Sequence, residues 1–319
     1  MLVPVLLFIA GLILLIKGGD WFVDGATAVA HKFHIPEILI GATVVSIGTT
    51  LPEVMVSATS AVGGHGEIAY GNAIGSVICN AALIAAITIA IKPGKTDTRS
   101  LKLPVFFFFG TAIFYSAVAY IFGFFYRPVG FILLAIFIVY MIVSVRRSLK
   151  ESAQNVDENE KEEAPEDKKG SNTVKDFAML IVGAALIAVG ANLLVDNGII
   201  IAEKAGVPES VIALTFVALG TSLPELVTAI TSLAKGHGAL SLGNVIGANL
   251  FNLVLVSGVS TALSPFAVPN NTSLTVDIPV MFGVMIVLTV PTLVKGKLSR
   301  WQGIVLLAAY ASFCVFQFI

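Results

Sequence analysis

Long apolar runs dominate the chain, and polar positions interrupt them at intervals that match the width of a lipid bilayer. A helix needs about 20 mostly apolar residues to cross the hydrocarbon core. The pattern predicts ten such helices, near residues 2–30, 37–62, 68–91, 103–123, 128–146, 176–202, 209–234, 239–262, 274–294 and 301–318. We expect the first to be a long, tilted span and not a signal peptide, because polar residues such as Asp20 continue the same helix. The expected fold class is an all-α polytopic membrane protein.

The composition excludes the main classes of soluble protein. The 319 residues are 56% hydrophobic and 12% charged, with a mean hydropathy of +0.93, whereas soluble domains carry roughly 25% charged residues. A cytosolic enzyme and a disordered chain are therefore excluded. The net charge of −1 gives no attraction to a polyanion, so the expected partner is the lipid bilayer and not nucleic acid. The two cysteines, Cys79 and Cys314, do not indicate a disulfide scaffold.

The basic residues predict the orientation of the spans. When alternate connections are grouped, 16 of the 19 Lys and Arg residues fall on one side, and the side rich in basic residues faces the cytoplasm. Ten spans then leave both termini outside the cell, in a multi-pass protein of the cell membrane. The charged stretch 148–175 is expected to be a cytoplasmic linker between a first five-helix repeat, 1–147, and a second, 176–319.

The two halves of the chain are related by duplication. Residues 8–84 align without a gap with residues 180–256, at a constant offset of 172. Five spans is an odd number, so the second half must enter the membrane from the opposite side. The predicted architecture is two inverted repeats around a pseudo-two-fold axis in the membrane plane. Such repeats are typical of secondary transporters, whose binding site lies near the midplane, and indicate a transporter and not an enzyme.

Two glutamates within apolar spans are the strongest functional signal. Glu53 and Glu225 end the equivalent motifs 48–53 and 220–225, each of which contains glycine, hydroxyl-bearing residues, leucine and proline. A carboxylate at this depth costs several kcal/mol unless a cation or a proton neutralises it. Glycine and proline are expected to break the helix and free backbone carbonyls, and carbonyl, hydroxyl and carboxylate oxygens are the ligands of hard cations. The nearby hydroxyls belong to Thr49, Thr50, Thr221 and Ser222.

The next span of each half carries a second repeated motif, 71–80 and 243–252. Ser76 and Asn80 are four residues apart and so share a helix face, while Gly75 and Gly247 permit close helix packing. Other repeated polar residues and one cysteine are expected to have structural roles: Asp24 and Asp196 in packing or capping, His65 and His237 in turns, and Cys79 in helix packing.

The doubled motifs resemble those of the sodium/calcium exchanger family, within the calcium/cation antiporter superfamily, and especially of its short archaeal and bacterial members. The resemblance covers essentially the whole chain. It implies transported Ca²⁺ and Na⁺, no cofactor, and a long first and sixth span that slide across the core. It also implies that Glu53 and Glu225 are the central carboxylates that bind both ions. Thr49 and Thr221 would coordinate Ca²⁺ together with them. The further oxygens implied are those of Thr50, Ser222, Ser76, Asn80 and Asn252 and the backbone carbonyls of Ser46 and Ala218.

Two positions depart from the pattern of the family. Prokaryotic relatives often have serine where this chain has Ala248, and a methyl group cannot coordinate Na⁺. Some relatives, including potassium-dependent ones, have aspartate where this chain has Asn252. Two core carboxylates, and not three, argue against potassium coupling and leave a charge of about −2 to match one Ca²⁺.

The sequence hypothesis is therefore a secondary antiporter that exchanges Na⁺ for Ca²⁺ by alternating access at a midplane site built on Glu53 and Glu225. One alternative keeps the fold and replaces Na⁺ by H⁺, because buried carboxyl groups can hold protons. Two remote alternatives are a cation channel, which has less need of inverted repeats, and an intramembrane aspartyl-type protease. The nearest protease-like string, which ends at Asp20, is not repeated in the second half, where Asn192 stands.

Overall fold

The computed structural model describes residues 2–159, 173–204, 220 and 222–316. Within these residues the chain forms ten helical segments, eight of which are long and apolar enough to cross a membrane. The segments are α1 (Leu2–Lys32), α2 (Glu37–Val62), α3 (Gly66–Ile91), α4 (Thr98–Phe122), α5 (Arg127–Asn159), α6 (Thr173–Lys204), α7 (Leu223–Ala234), α8 (Gly238–Leu263), α9 (Ser273–Lys295) and α10 (Arg300–Phe316). They follow the predicted spans, and the all-α polytopic prediction is confirmed.

Two predicted segments extend beyond the described residues. The predicted span 209–234 is described only from Gly220 onward, with α7 beginning at Leu223. Of the predicted linker 148–175, α5 occupies the start as far as Asn159 and α6 begins at Thr173; residues 160–172 lie outside the described part.

The first and sixth helices pack against each other in antiparallel directions at glycines. A Cβ atom on Gly11 would lie 2.8 Å from the carbonyl oxygen of Gly190, and one on Gly18 would lie 2.9 Å from that of Gly183. At the offset of 172, Gly11 corresponds to Gly183 and Gly18 corresponds to Gly190. Gly11 therefore contacts the equivalent of Gly18, and Gly18 contacts the equivalent of Gly11. This reciprocity is the contact pattern of a two-fold symmetric interface, and it places the pseudo-two-fold axis midway between Gly11 and Gly18.

The symmetry extends to the last helix of each repeat, where the two sequences no longer align. A Cβ atom on Gly130 of α5 would lie 2.8 Å from the carbonyl oxygen of Gly258 in α8. A Cβ atom on Gly303 of α10 would lie 2.7 Å from that of Ala86 in α3. Since Ala86 corresponds to Gly258, the fifth helix of each repeat docks on the third helix of the other.

The core lies around α8 and α3, most of whose residues are buried. Short backbone pairings join the two repeats at two places. Strand β1 (Phe124–Phe125) pairs antiparallel with β2 (Phe266–Ala267), and an isolated bridge joins Lys95 to Lys297. Helices α2–α5 and α7–α10 thus form one body, against which the α1–α6 pair packs.

The expected helix break at residues 48–52 is wrong for α2, because its α-helical part, Ser46–Val62, runs through Pro52 without interruption. The irregularity is a π-helical turn at Gly41–Val45, immediately before it. Further π turns start at the equivalent residues Asn80 and Asn252, spanning Asn80–Ala85 in α3 and Asn252–Val256 in α8. Such turns disturb the regular backbone hydrogen bonding and are frequent at functional sites.

Candidate cation site

The two glutamates lie together in the core, one from each repeat. Glu53 of α2 and Glu225 of α7 are each 0% exposed. Their carboxylates lie close enough for charge repulsion between them. None of their four carboxylate oxygens has a hydrogen-bond partner among the described residues. Two adjacent carboxylates in a membrane core require a cation or a proton for neutralisation.

The local sequence places the two carboxylates in different backbone settings. Glu225 lies in the first turn of α7, where Pro224 occupies one of the first two helical positions and Ser222 stands at the N-cap position without a side-chain capping hydrogen bond. Proline fits there because its missing N–H would have no helical acceptor, and the positive end of the helix dipole favours a carboxylate. Glu53 follows Pro52 inside a continuous helix, so no helix terminus supports its charge.

Hydroxyl groups from both repeats surround Glu225. Thr49 and Thr50 of α2 lie against its carboxylate across the repeat boundary, without reaching hydrogen-bond geometry. Cys79 of α3 lies near both Ser222 and Glu225. The hydroxyl oxygens of Thr50 and Ser222 are buried and have no hydrogen-bond partner within the described residues. The predicted site residues of α2 and α7 are therefore brought together.

Asn80 and Asn252 occupy equivalent places in the third helix of each repeat. Both are 0% exposed, and neither amide has a hydrogen-bond partner in the described part of the chain. Each begins a π turn, so side chain and backbone are both irregular at these positions. The environments differ in one respect, because the Ser257 hydroxyl donates to the Asn252 carbonyl at 3.1 Å, whereas the residue equivalent to Ser257 is Ala85.

The structure adds Asn244, which the sequence analysis did not single out as a site residue. The Asn244 side-chain oxygen accepts a hydrogen bond from the Thr49 hydroxyl at 3.2 Å, and the Ser46 hydroxyl lies 3.0 Å from the Asn244 backbone carbonyl and 3.3 Å from its side-chain oxygen. The Ser46 hydroxyl also lies 2.7 Å from the Gly41 carbonyl, within the π turn of α2. A Cβ atom on Gly247 would overlap the Ser46 hydroxyl, so glycine there allows α8 to approach α2.

The counterpart of Asn244 in the first repeat is Asn72. Its amide nitrogen donates to the Ser57 hydroxyl at 2.8 Å and to the Glu53 carbonyl at 3.3 Å. Asn72 therefore supports the helix that carries Glu53, while Asn244 binds the Thr49 hydroxyl beside Glu225. The repetition of this asparagine at the offset of 172 was the sequence signal that could have identified both.

The other predicted residues are distributed as follows. Ser76 is 4% exposed on α3, and Ala248, its equivalent on α8, is 0% exposed. Thr221 and Ala218 lie outside the described residues. Asp24 and His237 have contacts of their own, with Lys235 and Glu37 respectively, each at 2.7 Å.

The donor set suits a hard cation. The described residues contain no group of three or more His, Cys, Asp or Glu side chains that could hold a metal ion. The site instead combines two carboxylates with neutral hydroxyl and amide oxygens, several of them buried without partners. Burial of an unsatisfied polar group costs about 1–3 kcal/mol, and Ca²⁺ accepts 6–8 such oxygens in irregular geometry.

Comparisons with known proteins agree with this chemistry. Residues 3–146 and 175–319 match the family described as sodium/calcium exchanger protein. The chain is 31% identical to the sodium/calcium exchanger MaX1 of Methanosarcina acetivorans, over 98% of each chain. It is also 31% identical to the inner membrane protein YrbG of Escherichia coli, over 83% of this chain and 81% of YrbG. The sodium-calcium exchanger NCX_Mj, soaked with 2.5 mM Na⁺ and 0.1 mM Ca²⁺, has a similar structure, with a TM-score of 0.83 and 32% identity over 98% and 97% of the two chains.

Proposed function

Because the chain belongs to the sodium/calcium exchanger family, we propose that it exchanges Na⁺ for Ca²⁺ by alternating access at a single site between the repeats. Glu53 and Glu225 bind both ions, and Thr49 and Thr221 coordinate Ca²⁺ together with these carboxylates. The remaining oxygens come from Thr50, Ser222, Ser76, Asn80 and Asn252 and from the carbonyls of Ser46 and Ala218.

One observation carries the proposal. Two fully buried carboxylates, one from each repeat, lie near each other without an ion-pair partner among the described residues. Their combined charge of about −2 matches one Ca²⁺, and the same oxygens can bind Na⁺ only when Ca²⁺ has left. Competition for shared ligands couples the two fluxes, and the inverted repeats expose the site to each face in turn.

The decisive experiment is uptake of radiolabelled Ca²⁺ into proteoliposomes at fixed pH, with and without an outward Na⁺ gradient. Uptake that requires internal Na⁺ supports the proposal. Uptake that proceeds without a gradient of either Na⁺ or H⁺ would indicate a passive channel and contradict it.

Coupling to H⁺ is the second candidate, and Ala248 is the observation that favours it. This residue is buried on α8, one helical turn before Asn252, and its methyl group supplies no oxygen to a bound ion. Uptake that ignores Na⁺ and follows an outward proton gradient would select this candidate.

The proposal includes an orientation. Both termini face the outside, and the 148–175 linker faces the cytoplasm, because 16 of 19 basic residues fall on that side. Labelling a single cysteine placed in the linker with a membrane-impermeant reagent should require permeabilised cells; labelling in intact cells would reverse the orientation.

A further inference from the structure

Helix α1 is held to the end of α7 by a cluster of charges outside the cation site. The Lys235 ammonium group lies 2.7 Å from the Asp24 carboxylate and 3.3 Å from the Asp20 carboxylate. It also donates to the Asp20 backbone carbonyl at 3.0 Å. Lys235 immediately follows α7, so these contacts join the first helix of one repeat to the second helix of the other.

The packing around the cluster is tight. A Cβ atom on Gly19 would lie 2.8 Å from Val227 Cγ1 and 2.9 Å from the Thr231 hydroxyl, both on α7. Thr228, on the same helix, is 0% exposed. The α1–α6 pair therefore covers this part of α7.

The equivalent region at the opposite end, between α6 and α2, is less tightly packed in the described part of the chain. Val227 and Thr228 correspond to Met55 and Val56 of α2, which are 62% and 38% exposed. These residues line a cavity of about 580 Å³ between α2 and α6, which Asn192 also lines. The α1–α6 pair is thus packed tightly against the end of α7 near Lys235. It packs on α2 at Gly48, but it leaves α2 open beside Met55 and Val56.

The sequence contains the same asymmetry. At the offset of 172, Lys235 corresponds to Gly63 and Asp20 corresponds to Asn192, while Asp24 alone retains its counterpart, Asp196. The second repeat supplies a cation for α1, but the first repeat supplies none at the matching place for α6.

The charged side chains of Asp20 and Asp24 lie within the depth of the hydrocarbon core. The pseudo-two-fold axis crosses α1 midway between Gly11 and Gly18, so Asp20 and Asp24 lie about 8 and 14 Å along the helix from the membrane midplane, at 1.5 Å per residue. Half of the hydrocarbon core is about 15 Å thick. Ionisable residues at such depths pair with one another and mark moving or conducting parts of a transporter.

We propose that Lys235, Asp20 and Asp24 form an ionic lock that holds α1 against α7 and stabilises the conformation in which this end of the transporter is closed. This inference rests on the alternating access of the proposed function. A lock at one end favours one of the two access conformations, which would otherwise be equivalent by symmetry. Its members are positioning residues that set the preferred conformation and do not bind the transported ion.

Hydrogen exchange of the purified full-length chain in detergent tests the lock. The variants are Lys235→Gln, which removes the cation, Lys235→Arg, which keeps it, and the charge swap Asp24→Lys with Lys235→Asp. Lys295→Gln, which removes an exposed lysine at the end of α9, is the matched control. We expect Lys235→Gln to raise exchange of the 19–32 and 223–236 peptides by roughly fivefold, the factor for one partly buried ion pair.

The arginine variant and the charge swap should restore exchange to within about twofold of wild type, and α3–α5 peptides should be unchanged in all variants. Unchanged exchange in Lys235→Gln, an equal rise in Lys295→Gln, or a rise throughout the chain would overturn the lock. The measurement needs no ion gradient, so it stands even if the transport assay contradicts Na⁺/Ca²⁺ exchange.

Discussion

The two repeats supply one carboxylate each to the candidate cation site, but they surround those carboxylates differently. Glu53 lies inside a continuous helix, whereas Glu225 lies in the first turn of α7. The third helix of the first repeat carries Ser76, where the second repeat carries Ala248. A lysine holds α1 against the second repeat, and glycine occupies the matching position of the first.

The comparison teaches which features the duplicated fold retained. Both acids, both core asparagines and the glycine contacts between α1 and α6 are present in duplicate, as expected if the proposed site is reached from either face in turn. The neutral residues of the candidate site and the residues of the proposed lock differ between the repeats, whereas the pair of acids does not.

Removal of either carboxylate should have the largest effect. We expect Glu53→Gln and Glu225→Gln each to lower Na⁺-dependent Ca²⁺ uptake in proteoliposomes by about a hundredfold or more, because a single remaining carboxylate cannot balance a divalent ion in the core. The exposed Glu67→Gln variant is the control. Uptake within tenfold of wild type in either core variant would show that the acids are not equivalent partners.

The glycine contacts between α1 and α6 test the symmetry of the scaffold. We expect Gly11→Ala and Gly183→Ala to lower stability equally, by about 2 kcal/mol each, because each added methyl group meets the backbone of the partner helix. The thermal unfolding midpoint in detergent measures this. Gly110→Ala on α4, where nothing lies within 4 Å of the added atom, should leave the midpoint unchanged. Unequal losses would break the equivalence of the two helices.

Substitution of Asn72 and of Asn244 compares how much the neutral residues of each repeat contribute to Ca²⁺ binding. We expect Asn244→Ala to raise the KM for Ca²⁺ by about tenfold, because it frees the Thr49 hydroxyl, which lies beside Glu225. Asn72→Ala should raise KM less, by about threefold, since its bonds reach a backbone carbonyl and Ser57. The reverse order, in the same uptake assay, would place the more sensitive half-site in the first repeat.

The smallest expected effect concerns Ala248. We expect Ala248→Ser to lower the Na⁺ concentration for half-maximal exchange by about threefold, because it adds one neutral oxygen to the ligand set. Ser76→Ala, the reciprocal change in the first repeat, should raise that concentration. If Ala248→Ser leaves the Na⁺ dependence unchanged, this position does not contribute to Na⁺ binding.

Much of the fold could be predicted from local pattern, since the length of an apolar run sets the length of a span. The prediction of 37–62 agrees with α2 residue for residue. The π turns could not be predicted, because the residues that form them, such as Asn80–Ala85, are also compatible with a regular α-helix. The expected break at Pro52 was wrong because packing within the core holds the helix together despite the missing hydrogen bond.

The sequence by itself determined the number of spans, the duplication with an odd number of helices, and the pair of buried acids. These depend on composition and on the constant offset, which need no coordinates. Only the tertiary structure decided that Asn244 holds Ser46 and Thr49, that Cys79 lies beside Glu225, and that Lys235 reaches α1. These contacts join residues from opposite repeats, and their partners are set by how helices from the two halves pack, which no local pattern specifies.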